Sequence, residues 1–305
     1  MNPYFSIIIP TYNRAHLISA TIKSVLDQKY DNFELIIVND GSTDNTEEMI
    51  LQFNSEKIRY YKIENSERGY ARNYGAKRAK GKYFNFFDSD DLMYPNHLIE
   101  AYKQITNQKG IDFLHLMYEI QNDEGIIEKL DYTRFVYMKN ELPYDNILSC
   151  NSVFLSRSVA LEYPFNEDRN LSSSEDWELW IRLFFRYSLI CTENVTSVII
   201  NHDARSLKTI NADRVVARDL LLISSLSRDS LVFNGYGNRF KEFVADRYTY
   251  FMLMYSLERK IIPLLYWSFR AILVWIFVVR RRRFWASLLG FIYRPIRESI
   301  NKWKI

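Results

Sequence analysis

Three carboxylates lie within four residues of one another in the segment YFNFFDSDDLMYP, at Asp88, Asp90 and Asp91. The aromatic run before them predicts a buried strand that ends where they begin. Like charges this close repel, and the pKa of each carboxyl rises unless a cation neutralises it. Mg²⁺ and Mn²⁺ take oxygen ligands and bind through one or two carboxylates together with a substrate's phosphate oxygens. The cluster therefore predicts metal-assisted chemistry on a phosphorylated donor.

The same cluster also fits a simpler interpretation. Aspartate is common in turns that precede a helix, and Asp90 or Asp91 could cap a helix that begins near Pro95. Capping needs one carboxylate and gives the other two no role. On the residues alone, both interpretations stay open.

The elements that must position these carboxylates are strands alternating with helices. Four apolar runs of strand length are separated by segments of helical periodicity; they are FSIIIP, FELIIVND, IRYYKI and KYFNFF. This alternation predicts a parallel sheet with crossover connections. Ligands of such sheets bind beyond the carboxyl ends of the strands. Polar clusters follow the four strands there, at residues 11–14, 39–44, 65–72 and 88–91.

Composition narrows the class of protein. The 305 residues are 48% hydrophobic, enough to bury the core of one large domain or of a domain with an appendage. Cys150 and Cys191 give neither a disulfide framework nor a zinc pattern. No secretory signal is visible before Phe5, so we expect a cytoplasmic protein. The glycine-rich loops of P-loop and dinucleotide-binding proteins are absent from the sequence.

Four segments stand in order along the chain: SIIIPTYNR, ELIIVNDGSTDNT, ARNYGAKRAKGKYFNFFDSDD and SSEDWELWIRL. Together they closely resemble family 2 glycosyltransferases of the GT-A fold, over roughly residues 4–206. The resemblance implies an α/β fold, with a Rossmann-like, mostly parallel sheet flanked by helices. It also implies transfer of a sugar, with inversion, from a nucleotide-sugar to an acceptor hydroxyl. We therefore expect a catalytic domain at residues 1–206.

The resemblance implies a set of donor-binding residues. Asp40 is expected to accept the imide N–H of a uracil base in a charge-assisted hydrogen bond. An alternative is that Asp40 only shapes the Asp-Gly turn, and that the arginines of the third helix lie on a solvated face. The other residues expected at the nucleoside or the diphosphate are Pro10, Thr11, Tyr12, Arg68, Arg72, Asp88 and Ser89.

The resemblance likewise implies a metal site for Mn²⁺ or Mg²⁺. Asp90 is expected to hold the ion that bridges the diphosphate, and Asp88 to share that ion or contact the ribose. His202, which follows an apolar strand, is expected to complete the metal shell or touch the diphosphate. A histidine in such a place is also commonly structural, and Asp91 is expected to cap or brace the loop.

The resemblance assigns Asp176 as the base that takes the proton from the acceptor hydroxyl. Its neighbour Glu175 is the competing carboxylate. Ser172 and Glu175 also fit a capping box that opens an amphipathic helix, with Ser173 as another possible cap. Both roles are compatible, because the dipole of the helix keeps a first-turn carboxylate ionised.

A basic region ends the chain. Residues 1–204 contain 21 Lys and Arg against 30 Asp and Glu, whereas residues 205–305 contain 19 against 7. The uncharged run Ala271–Val279 has nine residues, short of the about 20 that span a bilayer. We expect residues 207–305 to form a helical extension that lies on a membrane, with Arg280–Arg283 meeting anionic lipid. Dimerisation through an apolar helix face is the main alternative, and the aliphatic content disfavours nucleic acid.

These observations predict a metal-dependent inverting glycosyltransferase that uses a UDP-sugar. We expect it to act on a saccharide or lipid-linked acceptor in bacterial-type surface polysaccharide or glycolipid assembly, at the inner face of the cell membrane, where a homo-oligomer is possible. Two other classes remain open: a catalytically silent nucleotide-sugar binding or scaffold protein at the membrane, and a sugar-phosphate nucleotidyltransferase. The second lacks the glycine-rich triphosphate loop expected near its first strand.

Overall fold

The structure, a computed structural model, describes residues 2–108, 110–122, 124–129, 141–201 and 211–291. The chain divides into two compact units, 1–205 and 206–305. His202, one of the expected metal ligands, lies outside the described residues.

The first unit begins with the predicted parallel sheet. Its strands pair side by side in the order β3-β2-β1-β4, all parallel. Every position of β1 and β2 is buried, which is why both strands are continuous apolar runs rather than alternating ones. The strands and the helices between them are β1 (Phe5–Thr11), α1 (Ile18–Leu26), β2 (Phe33–Asn39), α2 (Thr46–Leu51), β3 (Ile58–Lys62), α3 (Arg68–Ala76) and β4 (Tyr83–Phe86).

The second half of this unit extends the sheet in mixed orientation. Strand β8 (Val153–Ser156) pairs antiparallel with both β4 and β6 (Phe113–Gln121). Strand β9 (Leu189–Ile200) pairs parallel with β6 and antiparallel with β5 (Leu92–Met93). The remaining elements are α4 (His97–Asn107), β7 (Ile127–Lys129), a 3₁₀ turn (Cys150–Ser152), α5 (Arg157–Glu162), a second 3₁₀ turn (Arg169–Leu171) and α6 (Glu175–Phe184). The result is the expected α/β architecture, with an all-parallel first half and a mixed second half.

Aromatic rings pack at the edge of the sheet where the parallel strands begin. Tyr4 stacks on Tyr83 with ring centroids 5.7 Å apart and meets Phe5 edge-on at 4.9 Å. Tyr30 and Tyr102 join the same cluster. This apolar edge lies at the opposite ends of the strands from the polar loops, so the packed core holds the strands while the loops carry the chemistry.

The second unit is helical, as expected. Its long helices pack through aromatic rings, because Trp267 lies 4.9 Å from Tyr248 and 4.8 Å from Phe251 between ring centroids. None of the helices in the described part of the chain combines the length and the apolar character that crossing a bilayer requires. The elements are α7 (Ala212–Arg228), α8 (Ser230–Tyr236), α9 (Arg239–Leu257), α10 (Ile261–Val274) and a 3₁₀ turn (Ile276–Arg280).

Candidate active site

The loops that follow β1 and β2 are fastened to each other at the carboxyl edge of the sheet. The amide of Asp40 donates to the carbonyl of Thr11 at 2.8 Å. Asn13 adopts a left-handed φ of 51°, and its side-chain oxygen accepts from the amide of Thr43 at 2.9 Å. These bonds fix the two loops as one rim of the site.

Asp40 joins this rim to the loop after β3. Its carboxylate is buried and accepts from the amide of Ser66 at 2.7 Å and from the side chain of Asn65 at 3.3 Å. Burial raises the pKa of Asp40, and the backbone amides that it meets act in the opposite direction. Gly41 has φ +73°, and a Cβ there would lie 2.8 Å from the amide nitrogen of Asn65. Asp40 therefore shapes the turn, and its contact with a base stays a prediction.

The expected nucleoside-pocket residues differ in exposure. Pro10 and Thr11 are buried at the end of β1, whereas the side chain of Tyr12 is 44% exposed. Only Tyr12 of the three therefore presents a large ring surface to an incoming ligand.

The loop after β4 is braced by residues near the start of β8 and at the end of β9. Asp91 is fully buried, and it accepts from the side chain of Asn151 at 2.6 Å and from the amide of Ile200 at 2.8 Å. Asn151 also accepts from the amide of Asp88 at 2.7 Å. Asp91 therefore braces the loop, as expected. The alternative that Asp90 or Asp91 caps α4 is wrong, because the N-cap of that helix is Asn96.

The other two carboxylates of the cluster each meet a guanidinium. Asp88 accepts from Arg72 at 2.8 Å, and Asp90 lies 3.3 Å from Nε of Arg14. Ser89, between them, is buried. Sequence reasoning missed Arg14 and Asn151. Arg14 belongs to the polar cluster 11–14, but nothing in the sequence indicates that it reaches a loop 76 residues away.

Asp88 and Asp90 fit a hard divalent cation. They provide two carboxylates from one loop, the number that Mg²⁺ uses when substrate phosphates complete its shell. Within the described residues, no group of three or more His, Cys, Asp and Glu is arranged to hold a metal ion. The donor set therefore suits an ion that is bound together with a phosphorylated ligand.

Arg72 connects the loop of Asp88 to helix α6. It is only 2% exposed, and its two terminal nitrogens donate to Glu175 at 2.7 Å and to Asp88 at 2.8 Å. Its guanidinium lies 5.1 Å from the ring centroid of Phe165. The solvated-face alternative is therefore wrong for Arg72. Arg68, one turn earlier, is partly exposed and lies 3.8 Å from Glu175.

The first turn of α6 separates the two candidate bases. Glu175 is buried and directed at Arg72, while Asp176 is partly exposed. Asn146 donates to both carboxylate oxygens of Asp176 at 3.3 Å, and the amide of Trp177 donates to one of them at 2.7 Å. Burial and the neighbouring charge of Glu175 raise the pKa of Asp176 to about 6. Asp176 combines access with a pKa near neutrality, which suits a proton acceptor, whereas the side chain of Glu175 is buried against Arg72.

The predicted capping box is wrong. The N-cap of α6 is Ser174, without a side-chain cap bond. The hydroxyl of Ser172 donates to Glu67 at 3.2 Å, and Ser173 has a left-handed φ of 75°. The helix begins at Glu175 itself, two residues later than a box opened by Ser172 requires, so Glu175 is at the first helical position and not at the third.

The sequence model of the family described as "Glycosyl transferase family 2" matches residues 6–162, more than half of the chain. The chain belongs to this family. The match includes β1 to β4 and the loop of Asp88 and Asp90, and it ends before α6. Membership makes the protein a glycosyltransferase. The two alternative classes, a sugar-phosphate nucleotidyltransferase and a catalytically silent binding protein, are therefore not supported.

Two relatives show how similar other sequences are to this glycosyltransferase. An uncharacterized glycosyltransferase of Rickettsia typhi is 34% identical over 224 residues, 68% of this chain and 67% of the relative. WfgD of Escherichia coli, named a UDP-Glc:alpha-D-GlcNAc-diphosphoundecaprenol beta-1,3-glucosyltransferase, is 34% identical over 179 residues, 58% of this chain and 68% of the relative. The match spans only 31% of the relative in Rickettsia bellii.

Solved structures show the same fold. TarS 1–349 of Staphylococcus aureus, in complex with UDP-GlcNAc, superposes with a TM-score of 0.70 at 19% identity, covering 99% of this chain and 92% of TarS. The mannosyltransferase PcManGT of Pyrobaculum calidifontis, in complex with GDP-Man and Mn²⁺, gives a TM-score of 0.57 at 16% identity, covering 97% and 88%. The glycosyltransferase therefore has the GT-A fold with a C-terminal helical extension.

Proposed function

We propose that this enzyme transfers a sugar from a UDP-sugar to a hydroxyl of a saccharide or lipid-linked acceptor, with inversion at the sugar carbon. Transfer needs a site that offsets charge on the departing diphosphate and a base for the acceptor on the opposite face of the sugar. The observation that carries the proposal is Arg72, which contacts both Asp88 and Glu175. One guanidinium thereby joins the loop proposed to face the diphosphate to the helix that carries the proposed base.

Uracil as the base of the donor is supported by two of the similar proteins, since WfgD is named for UDP-Glc and the TarS structure contains UDP-GlcNAc. PcManGT contains GDP-Man, so the fold accepts more than one base. The choice of base therefore rests on the rim residues of this chain. Tyr12 offers a ring for stacking, and Asp40 offers a carboxylate beside it at the ends of neighbouring strands.

Tyr12→Ala is expected to weaken UDP binding roughly tenfold, because base stacking on an aromatic ring contributes about 1–3 kcal/mol. Calorimetry of UDP binding in the presence of Mn²⁺ measures this. Tyr12→Phe is the matched control, since it keeps the ring and removes only the hydroxyl, and it should bind UDP like the parent. Equal affinities of Tyr12→Ala and Tyr12→Phe would exclude a stacking role.

Asp88 and Asp90 are proposed to hold Mn²⁺ or Mg²⁺ together with the donor diphosphate. When bound, such an ion supplies Lewis-acid stabilisation of the charge that develops on the leaving group. Asn151 and Asp91 keep the loop in place by their bonds across the sheet. Arg14 and Arg72 hold the two carboxylates before the donor binds.

Asp90→Asn is expected to abolish most of the gain in UDP affinity that Mn²⁺ provides, because an amide is a neutral and weaker ligand for a hard cation. Calorimetry of UDP with Mn²⁺, and again with chelator, gives that gain directly. The control is Asp31→Asn, the same change on a side chain that is 95% exposed just before β2. A gain that survives in Asp90→Asn as it does in Asp31→Asn would refute the metal role.

Asp176 is proposed to take the acceptor proton. Its side chain remains accessible at the start of α6, and Asn146 orients both oxygens. Glu175 is paired with Arg72 and buried, so it does not compete for the acceptor, and its proximity helps to raise the pKa of Asp176.

The acceptor is proposed to be a growing polysaccharide or glycolipid on a lipid carrier, at the inner face of the cell membrane. WfgD supports this, because its name gives a diphosphoundecaprenol-linked acceptor. Screening a panel of nucleotide-sugars by calorimetry with Mn²⁺, followed by transfer from the best binder to lipid-linked and soluble sugars, tests the donor and the acceptor in turn. Binding of no UDP-sugar in the panel would overturn the donor assignment.

A further inference from the structure

Helix α10 has one packed face and one apolar face that is open to solvent. The packed face consists of Leu264, Trp267, Ser268 and Ala271. Between 51% and 79% of each side chain on the opposite face is exposed, and these side chains recur every three or four residues. They are Ile262, Leu265, Tyr266, Phe269 and Leu273. Monomeric proteins in water rarely expose a continuous apolar surface of this kind, so a partner is needed to cover it.

The apolar surface continues beyond the helix. Ile276 and Phe277 of the following 3₁₀ turn are 60% and 49% exposed, and Trp285 is half exposed. We call the surface formed by these three residues and the open face of α10 the apolar face. It includes the aromatic side chains of Tyr266, Phe269, Phe277 and Trp285, and such side chains favour the boundary between headgroups and acyl chains.

Positive charge accompanies the apolar face. Residues 261–285 contain five arginines and no Asp or Glu. Arg281 and Arg283 pair with Glu242 and Asp246 of α9, while Arg280 and Arg282 are exposed. Arg280 also lies 5.0 Å from the ring centroid of Phe277, so an exposed charge sits directly beside an exposed ring.

The charge decides between two occupants of the apolar face. A second copy that packed through the same face would bring the same arginines and no carboxylate from residues 261–285, so it would cover the apolar side chains without complementing the charge. A leaflet of anionic lipid supplies both an apolar layer and negative headgroups. We propose that the apolar face docks on an anionic membrane leaflet. This inference rests on the proposed function only for its purpose, which is access to a lipid-linked acceptor.

Sedimentation of the full chain with vesicles tests the proposal without donor or acceptor. The chain is expected to pellet with vesicles of phosphatidylcholine and phosphatidylglycerol, and much less with phosphatidylcholine alone. The double variant Phe269→Ser, Leu273→Ser should bind the anionic vesicles at least about tenfold more weakly, because each side chain loses apolar area that the bilayer would bury. Replacing Arg280 and Arg282 with Gln should weaken binding and reduce its dependence on salt.

The matched control is Leu231→Ser, Phe233→Ser on α8, where the same two residue types are 56% and 46% exposed. It should bind vesicles like the parent. Equal losses in both double variants, or no binding of the parent to anionic vesicles, would overturn the proposal. So would a dimer in plain buffer that the change at Phe269 and Leu273 dissociates, because the occupant would then be a second copy.

Nucleotide binding keeps this test separate from the proposed function. Both double variants should bind UDP with Mn²⁺ like the parent, since the changed residues lie in the C-terminal unit. Loss of vesicle binding with UDP binding intact supports docking. Failure of docking alone leaves the proposed transfer reaction as it stands.

Discussion

Asp176→Asn should slow sugar transfer by roughly a hundredfold or more while leaving the affinity for UDP and Mn²⁺ unchanged. General-base catalysis contributes about 10²–10⁴ in rate, and an amide cannot accept the acceptor proton. Asn has nearly the same shape as Asp. The two donors to Asp176 are the side-chain amide of Asn146, in a loop, and the backbone amide of Trp177, in the first turn of α6. The change therefore removes the proton acceptor with little effect on the donor loops.

Single-turnover transfer rates and calorimetric UDP affinities, measured on the same preparations, separate the two effects. Asp31→Asn again serves as the control, and it should transfer at the parent rate. If Asp176→Asn lost UDP binding but retained the rate at saturating donor, Asp176 would be a donor ligand and not the base.

The dependence of the transfer rate on pH tests the role of Asp176 independently. The pKa of Asp176 is raised to about 6, and a base must be ionised to act. The rate of transfer should therefore be level above neutral pH and fall as the pH drops through about 6. The residual activity of Asp176→Asn should lack this acid limb.

Arg72→Met should reduce the free energy of unfolding by about 3–5 kcal/mol, the usual effect of removing one partner from a buried ion pair. Glu175 would keep a buried charge without its guanidinium, and Asp88 would lose a bond of 2.8 Å. Urea unfolding, followed by a signal from the first unit, measures the loss. Lys57→Met is the control, because the Lys57 to Asp31 pair is exposed and its loss should cost less than about 1 kcal/mol.

A double change distinguishes charge from shape at this position. Combining Arg72→Met with Glu175→Met replaces the buried pair with apolar side chains, and it should recover much of the stability that Arg72→Met loses. If Arg72→Met destabilised no more than Lys57→Met, or if the double change were no better than the single one, the buried pair would not be the cause.

The sequence predicted the first half of the sheet well because buried parallel strands are continuous apolar runs. Strands β1 to β4 follow the predicted segments, and the polar residues after them lie at one edge for topological reasons. Of the strands in the second half, only β9 was predicted, as the apolar strand before His202, and its pairing was not. Strand β8 has only four residues, all buried, so it carries no alternating pattern to indicate its partner.

Local sequence patterns could not predict the pairing of Arg72 with Glu175. The two residues are 103 positions apart, and spacing along a helix cannot tell a buried arginine from a solvated one. The capping-box prediction failed for a different reason. A serine followed three positions later by glutamate is a local signature, but the helix begins at Glu175, so this glutamate is at the first helical position and not at the third.

The arginines at the acidic loop imply an order of events at the catalytic centre. Arg14 and Arg72 already pair with Asp90 and Asp88, and this pairing weakens the attraction of the two carboxylates for a lone divalent ion. The diphosphate of a nucleotide adds negative charge to the site, and a divalent ion that binds with it would neutralise that charge. If Asp88 and Asp90 hold the ion as proposed, we expect the site to bind the ion and the nucleotide together and to bind the free ion weakly.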